Sequence, residues 1–430
     1  MIDNSEFTDF LDSCADVYNT CDVIEQHLKK NGVNKLNLDE KWSLTDGHFY
    51  LKLDNQAIVS FSIPKGFSFD THKDAGARIL ASHIDYPMFR IKEKAQSIEA
   101  PYVKYGIEVY GGPIISTWLD RPLKISGIAH YLVDNKIHSK TIVLDDLKGV
   151  IPNLAIHLNR EVNKGFEYNK HKHLNVVIPN VLGVSKDTNL LESLVLDKLD
   201  IEENDLLNLE LYLTPDSPAT LLSNSNSSRL LLSKGLDNLL STYAVLEAII
   251  DSEPNRLQFA VFYNHEEIGS QSLYGADSNY LMLIIDRILE TLSLTNEEKF
   301  ILKENSILAS IDGVHALHPN FIEKHDSSYA PNLGEGIAIK KNVNMKYTSD
   351  AFTEAIFMQV VKKANIKHQV IINRSDIPSG STIGPVASSL LAVKAIDLGV
   401  PMLAMHSTAE LMDLSDLDDL IKFIKCFIKQ

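Results

Sequence analysis

The stretch Leu257-Gln258-Phe259-Ala260-Val261-Phe262-Tyr263-Asn264-His265-Glu266-Glu267-Ile268-Gly269 joins an apolar run to two adjacent carboxylates. Its first seven residues predict a buried strand, because the run is short, apolar and rich in aromatic side chains. Adjacent Glu side chains at the end of a strand repel each other, so their presence there needs another reason. In a metal centre one Glu would bind a cation and the other would act as a general base. A solvated acidic turn is the simpler alternative.

Four further polar residues follow apolar runs or begin a helix. They are His83 after the run 77–82, Asp312 after 306–311, His406 after 401–405, and Asp237 at the start of the helical pattern Leu236–Ile250. In an open α/β sheet, strand ends and helix N-termini meet along one edge, where ligands bind. With Glu267 they make two His and three carboxylates, which is the ligand set of a two-metal hydrolytic centre. Such ligands suit zinc, and manganese and cobalt also accept them.

Each of these residues also has a plainer interpretation when it is considered alone. His83 and His406 could be structural histidines at strand ends, and Asp237 could cap its helix and compensate the helix dipole. Asp85 lies two residues after His83, on the same side of an extended chain, so it could orient that imidazole. The joint occurrence of five such positions favours the metal centre.

The composition of the chain excludes several classes of protein. Its 430 residues exceed one typical core, so two domains are expected. The formal net charge of −16 argues against nucleic acid as a partner. No apolar run is long enough to cross a membrane, and the polar, acidic N-terminus is unlike a secretory signal. With only Cys14, Cys21 and Cys426, reduced thiols and a cytoplasmic location are expected.

The order of the segments predicts an inserted domain. Helical spacing extends from Ser5 to Gly32, and a hairpin is predicted over 48–63. Short strands separated by turns dominate 102–214. After the Ser/Asn-rich segment 223–228, strands alternate with helices at 236–251, 278–294, 381–398 and 415–429, which is typical of parallel β-sheets. We therefore expect an α/β catalytic domain from residues 1–90 plus 229–430. Residues 91–228 would form an inserted β-rich domain for dimerisation and assembly.

Several motifs, in order and spacing, make the sequence resemble the aspartyl aminopeptidase family of dinuclear zinc metallopeptidases. The resemblance covers nearly the whole chain. Its motifs are Ser82-His83-Ile84-Asp85-Tyr86-Pro87, Trp118-Leu119-Asp120-Arg121-Pro122-Leu123, the segment 151–160, Leu236-Asp237-Asn238-Leu239, Glu266-Glu267-Ile268-Gly269-Ser270, His315-Ala316-Leu317-His318-Pro319-Asn320, Gly380-Ser381-Thr382-Ile383-Gly384-Pro385 and Met405-His406-Ser407. It implies a mixed, mostly parallel sheet flanked by helices, of the zinc exopeptidase type.

The resemblance also implies a role for each matching residue. Two divalent ions, most simply zinc, would be bound by His83, Asp237, Glu267, Asp312 and His406, with Asp237 bridging them. Glu266 would be the general base, and Asp85 would support His83. The residues that surround substrate would be His157, Glu266, Asp312, His315, Lys340 and Tyr347. His157 lies in the inserted segment, so it would reach a site in its own chain or in a neighbouring subunit.

The activity implied is removal of the N-terminal residue, Asp or Glu, from peptides with a free N-terminus. The resemblance further implies a homododecamer built from dimers, with no nucleic acid or membrane partner. The sequence departs from the family pattern at His265, at Ser233-Lys234-Gly235 and at 326–329, which leaves the preference for acidic over neutral residues open. Two other functions are considered: an amidohydrolase of the same architecture acting on N-acyl amino acids, and a catalytically silent scaffold.

Overall fold

The computed structural model describes residues 4–72, 76–99, 101–225 and 228–430. Within these ranges, three β-sheets are packed with α-helices. The helices are α1 (Asn4–Ser13), α2 (Val17–Lys30), α3 (Phe69–His72), α4 (Leu190–Leu199), α5 (Leu236–Ile250), α6 (Tyr280–Thr291), α7 (Asn296–Glu304), α8 (Ala351–Ala364), α9 (Ile383–Leu391) and α10 (Leu414–Phe427). Within the described ranges, no helix is both long enough and apolar enough to span a bilayer.

The first sheet has nine strands, numbered with all others in chain order. In sheet order they are β1 (Asn34–Lys35), β2 (Gly47–Leu53), β3 (Ala57–Ile63), β13 (Gln258–Tyr263), β4 (Arg78–His83), β14 (Ile307–Ile311), β18 (Lys394–Gly399), β16 (Ile337–Lys340) and β17 (His368–Ile371). Five neighbouring pairs are parallel and three are antiparallel. The predicted fold class, a mixed and mostly parallel sheet flanked by helices, is confirmed.

Both faces of this sheet are buried. On β4, Leu80 packs into one hydrophobic core, whereas Ile79 and Ala81 pack into the other, as the two-residue period of a strand requires. Helices α1, α2, α5, α8 and α10 cover the first face, and α6, α7 and α9 cover the second. Burial of each Leu, Ile or Phe side chain stabilises the fold by about 1.5–3 kcal/mol. These two cores therefore stabilise the strands whose ends carry the polar residues.

Two smaller sheets complete the fold. The second is antiparallel and, in sheet order, contains β8 (Lys136–Gly149), β7 (Leu123–Val133), β10 (Leu206–Pro215), β5 (Met88–Glu99), β6 (Tyr102–Tyr110) and β9 (Val176–Pro179). The third contains β11 (Thr220–Leu221), β12 (Leu230–Ser233), β20 (Glu410–Asp413), β19 (Pro401–Leu403) and β15 (Val314–His315). The strands of the second sheet thus all come from the middle of the chain.

The N-terminal helix differs from the prediction. The helical spacing from Ser5 to Gly32 predicts one helix, but the structure has two, α1 and α2. Asp16 has an extended backbone, and its side chain accepts hydrogen bonds from the main-chain N–H groups of Tyr18 and Asn19. This carboxylate caps a new helix and so separates it from α1. The apolar period alone could not show the break, because the buried positions stay in phase across it.

The prediction of a helix over 381–398 is also wrong in its second half. Helix α9 ends at Leu391, Ala392 takes a left-handed conformation, and residues 394–399 form β18, an interior strand of the first sheet between β14 and β16. Strand β18 is buried on both faces and includes the buried Asp397, so its sequence does not alternate between apolar and solvent-exposed polar residues, and period alone does not distinguish it from a buried helix. The next strand, β19, which precedes His406, belongs to the third sheet.

Candidate metal centre

Three parallel strands bring their carboxyl ends to one place. In the register of the first sheet, Tyr263 of β13 is opposite His83 of β4, and Ser310 of β14 is opposite Ala81. His83 therefore ends its strand beside the points where β13 leads to Glu266 and Glu267 and β14 leads to Asp312. Asp237 arrives from α5, where its backbone and that of Asn238 are not yet helical.

Five predicted ligands lie in two groups that share one residue. In the first group, His83 Nε2 lies 3.3 Å from Asp312 Oδ1 and 3.6 Å from Asp237 Oδ1. In the second, His406 Nε2 lies 3.5 Å from Asp237 Oδ2 and 3.3 Å from Glu267 Oε2. In each group the candidate ligand atoms all lie within 4.8 Å of one another. The two carboxylate oxygens of Asp237 thus face different groups, as a bridging ligand requires.

Main-chain carbonyls orient both imidazoles. His83 Nδ1 donates to the carbonyl oxygen of Asp85 at 3.0 Å, and His406 Nδ1 donates to that of Gly112 at 3.1 Å. Each bond places the proton on Nδ1 and leaves the Nε2 lone pair directed at the carboxylates. This is the arrangement that metal-binding histidines use. Gly112 follows β6, so the second sheet supports the centre although it provides none of the five predicted ligands.

The residues fit divalent cations. Among the described residues, Asp237 Oδ1 and Glu267 Oε1 are buried without a hydrogen-bond partner, which is costly unless a cation contacts them. Burial raises the pKa of Glu266 to about 8. The positive charge of His83 opposes this rise, and the negative charge of Asp312 adds to it. Burial raises the pKa of Glu267 to about 7. Cations would restore these carboxylates to their charged form, and the imidazole and carboxylate donors suit zinc.

Asp85 joins the two ligand-bearing segments. Its Oδ1 accepts the main-chain N–H of Glu266 at 3.2 Å, and its Oδ2 accepts that of Glu267 at 3.1 Å and the hydroxyl of Tyr110 at 2.7 Å. These bonds and the neighbouring His83 hold the pKa of Asp85 below its usual value although burial opposes this. Asp85 therefore fixes the turn after β13 against the end of β4.

A cavity of about 400 Å³ opens beside the two groups. Its walls include Glu266, His315, Lys340, Tyr347 and the segment 380–382. His315 lines this space. Burial of its ring is the main reason that its pKa is lowered, and the positive charge of Lys340 lowers that pKa further. The predicted substrate-contact residues His315, Lys340 and Tyr347 are therefore brought together with the predicted ligands.

Lys340 is not the surface residue that its basic neighbour Lys341 suggests. Its side chain is 4% exposed, and Nζ lies 3.1 Å from Asp312 Oδ2 and 5.5 Å from the centre of the Tyr347 ring. Burial alone would lower the pKa of Lys340, but Asp312 and its other acidic neighbours raise it. The ammonium group is thus already paired with a predicted metal ligand.

His157 lies apart from the other predicted site residues. It occurs in the exposed segment between β8 and β9 and is not among the described residues that line the cavity. Leu154, Ile156 and Leu158 in the same segment are 50–74% exposed. Such apolar side chains around a histidine are typical of a surface that contacts another protein.

Sequence reasoning missed three residues that support the site. Glu410 accepts the main-chain N–H groups of Asp237 and His406, Tyr110 donates to Asp85, and Gly112 accepts from His406. The sequence signal for Glu410 is an acid four residues after His406, and its burial is seen only in the structure. The other two contacts depend on how the second sheet packs, which no local pattern reports.

Comparisons with known proteins show what the whole chain is similar to. The family model described as aminopeptidase I zinc metalloprotease (M18) matches residues 10–428. A relative in Borreliella burgdorferi, named "Probable M18 family aminopeptidase 2", is 35% identical over 425 residues, which are 99% of this chain and 97% of that protein. The structure is similar to that of Ape4 in a cryo-EM complex with Nbr1, with a TM-score of 0.92 and 29% identity, covering 99% of this chain and 85% of that one. It also resembles the S. cerevisiae mApe1 dodecamer in fold, with a TM-score of 0.83 and 23% identity over 98% and 95% of the two chains.

Proposed function

The chain belongs to the aminopeptidase I family of zinc metalloproteases (M18), and from this premise we propose that it binds two zinc ions and removes acidic N-terminal residues from peptides. That it is a zinc metalloaminopeptidase follows from the family. The number of ions, the residues that bind them and the acidic preference are the proposal. One observation carries it: the two oxygens of Asp237 face two separate groups of ligands.

In this proposal His83 and Asp312 would hold one zinc, Glu267 and His406 would hold the other, and Asp237 would contribute to both. When bound, the zinc pair supplies Lewis acidity that polarises the scissile carbonyl and lowers the pKa of water. Glu266 Oε2 lies 4.0 Å from His83 Nε2, so it borders the same space. Glu266 takes the proton of the attacking water and passes it to the leaving amine.

The acidic surroundings explain why a free N-terminus is needed. Glu266, Glu267, Asp237 and Asp312 all line the cavity, and two zinc ions would offset most of their charge, so a free amine would be recognised by direct contact with carboxylate oxygens. Glu266 and Asp312 are the acids that would contact the α-amino group. An N-acylated substrate carries no positive charge there, so it would bind more weakly.

For the substrate side chain we propose contacts with His315, Lys340 and Tyr347. Lys340 is paired with Asp312, so it acts on an acidic substrate mainly through the electrostatic field of its positive charge. It acts on Asp312 directly, because it holds one carboxylate oxygen away from the zinc. We propose that His157 completes this pocket from a neighbouring subunit, since it is exposed and lies outside the cavity of its own chain.

We further propose a dodecamer built from dimers, working in the cytoplasm, with residues 91–228 as the assembly domain. The named dodecamer of the structurally similar S. cerevisiae protein supports the assembly. So do the exposed apolar residues Leu154, Ile156 and Leu158 beside His157. The unpaired Cys14 and Cys21, both buried, are in keeping with a reducing compartment.

The test combines metal analysis with a set of substrates. Zinc-loaded protein should hold two ions per chain and hydrolyse Asp-Ala and Glu-Ala faster than Leu-Ala, while it refuses N-acetyl-Asp-Ala. Glu266→Gln should keep both ions and lose roughly 10²–10⁴-fold in kcat, because only the base is removed. Hydrolysis of the acetylated substrate alone would instead indicate an amidohydrolase, and inactivity on all of them a scaffold. Near-normal activity of fully loaded Glu266→Gln would exclude Glu266 as the base.

A further inference from the structure

Glu410 is a buried carboxylate at the base of the metal centre with no part in the chemistry described above. Glu410 is only 1% exposed to solvent. Oε2 accepts the main-chain N–H of Asp237 at 3.0 Å, and Oε1 accepts the main-chain N–H of His406 at 2.6 Å. One carboxylate therefore binds the backbones of two predicted ligands, which belong to different segments of the chain.

The third sheet places Glu410 between these segments. Glu410 begins β20, and in the antiparallel register it is opposite Ser233, the last residue of β12. On its other side β20 pairs with β19, where Leu411 is opposite Leu403. The chain leaves β12 towards Asp237 and leaves β19 towards His406. Glu410 thus lies where the segments after β12 and after β19 leave the sheet and the hydrogen bonds between the strands end.

We propose that Glu410 is a positioning residue that assembles the second ligand group, formed by Asp237, Glu267 and His406. It does so by fixing the main chain of two of its three members. This inference rests on the two-zinc centre proposed above. Because His406 belongs to this group alone whereas Asp237 belongs to both, Glu410 is assigned a larger effect on the ion of the second group than on that of the first.

The selectivity follows from how the two histidines are held. His83 is the last residue of β4 and is paired on the first sheet with Tyr263, so its backbone is fixed without Glu410. His406 lies in a turn and has a φ of 67°, a conformation that non-glycine residues adopt only where their surroundings hold them. The carbonyl oxygen of His406 accepts the main-chain N–H of Ile114 at 2.9 Å, so Glu410 holds the other side of this residue, and loss of its bond would loosen the turn and move the imidazole.

A carboxylate is required because both atoms must accept. In Glu410→Gln one of the two positions becomes an NH2 group, which would face a main-chain N–H. That substitution keeps the size of the side chain and removes one hydrogen bond, leaving an unsatisfied buried donor. It is therefore a small change in packing with a defined electrostatic consequence at Asp237 or His406.

The matched control is Asp416→Asn. Asp416, on α10, is also a buried carboxylate that accepts two main-chain N–H groups, those of Gly334 at 2.8 Å and Gly336 at 2.7 Å. Neither glycine is among the described residues that line the cavity. Asp416→Asn thus repeats the chemical change at a distance from the ligands, and it measures what such a change does to stability alone.

The experiment titrates zinc into zinc-free, assembled protein and measures both dissociation constants. Glu410→Gln should weaken one of them by roughly 10–100-fold, the usual effect of losing a residue that orients a metal ligand, and leave the other within about threefold. Adding His406→Ala to Glu410→Gln should not affect the ion that remains, whereas His83→Ala should release it. Asp416→Asn should bind both ions as the wild type does.

Equal weakening of both sites, or of neither, would overturn the role of Glu410. A wild type that binds a single zinc would instead refute the two-zinc centre, so the two failures differ. If Glu410→Gln does not fold, hydrogen exchange on the zinc-free wild type decides. Overlapping peptides should show protected amides at Asp237 and His406, and rapid exchange at either would contradict the proposal.

Discussion

Replacing Asp85 by Asn tests how far the site depends on one buried carboxylate. Its Oδ1 accepts from Glu266 N and its Oδ2 from Glu267 N and Tyr110 Oη, while His83 Nδ1 lies 3.4 Å from Oδ1. Asn has the same shape but only one acceptor oxygen. Whichever way the amide turns, its NH2 group faces a main-chain N–H of the segment that carries the base and a ligand.

The size of the effect follows from these bonds. A hydrogen bond to a charged group contributes about 1.5–3 kcal/mol, and Asp85→Asn weakens one or two of them. We therefore expect a loss of about 1.5–4 kcal/mol, or roughly 10–10³-fold in kcat/KM, at saturating zinc. Tyr110→Phe is the control, because it removes one bond and keeps the carboxylate with its other two donors, so its loss should lie at the low end of that range, at about 1.5 kcal/mol or roughly 10-fold.

The assay is kcat/KM on Asp-Ala, with zinc content measured on the same samples. Asp85→Asn should keep most of its zinc at saturation and show the larger loss of activity. An Asp85→Asn enzyme within twofold of the wild type would refute the reasoning. So would a Tyr110→Phe enzyme that is impaired as severely as Asp85→Asn.

Three further predictions concern other parts of the structure. Lys340→Met should weaken zinc binding as well as activity, since Asp312 loses its partner; a change confined to KM for acidic substrates would show that Lys340 acts on substrate alone. Mixing inactive His157→Ala chains with inactive Glu266→Gln chains should restore partial activity, because one site in each mixed dimer would carry neither defect, whereas a histidine acting within its own chain would leave the mixture inactive. Burial lowers the pKa of Lys234 to about 8, below its unfolded value of 10.5, so its contribution to stability is fully present above about 10.5 and is lost as the pH falls through about 8. The unfolding free energy of the wild type should therefore rise relative to Lys234→Met by about 3 kcal/mol over that window, at about 1.4 kcal/mol per pH unit, and a constant difference would contradict the shift.

The arrangement of the strands around the site could be predicted because each leaves a readable pattern. His83, Glu267 and Asp312 follow apolar runs that become β4, β13 and β14, and parallel strands end at one edge. The hairpin over 48–63 was equally clear, since β2 and β3 alternate and are joined by a short turn. These features are local, so hydrophobic period and turn chemistry determine them.

What the sequence could not show depends on contacts between distant segments. His406 follows β19, which belongs to the third sheet rather than the first. The sequence did not show this, because it predicted a helix over 381–398 and so missed β18. Lys340 was predicted to contact substrate, but its pairing with Asp312, a predicted ligand, is visible only in the structure. The acceptor for His406 Nδ1 is the carbonyl of Gly112, and a main-chain atom has no signature in sequence.

The most direct test of the two-zinc centre is anomalous diffraction from crystals of the zinc-loaded wild type, with data on both sides of the zinc absorption edge. The account predicts two peaks per chain, one among His83, Asp237 and Asp312 and the other among Asp237, Glu267 and His406. A single peak, or a second peak away from Asp237, would contradict it.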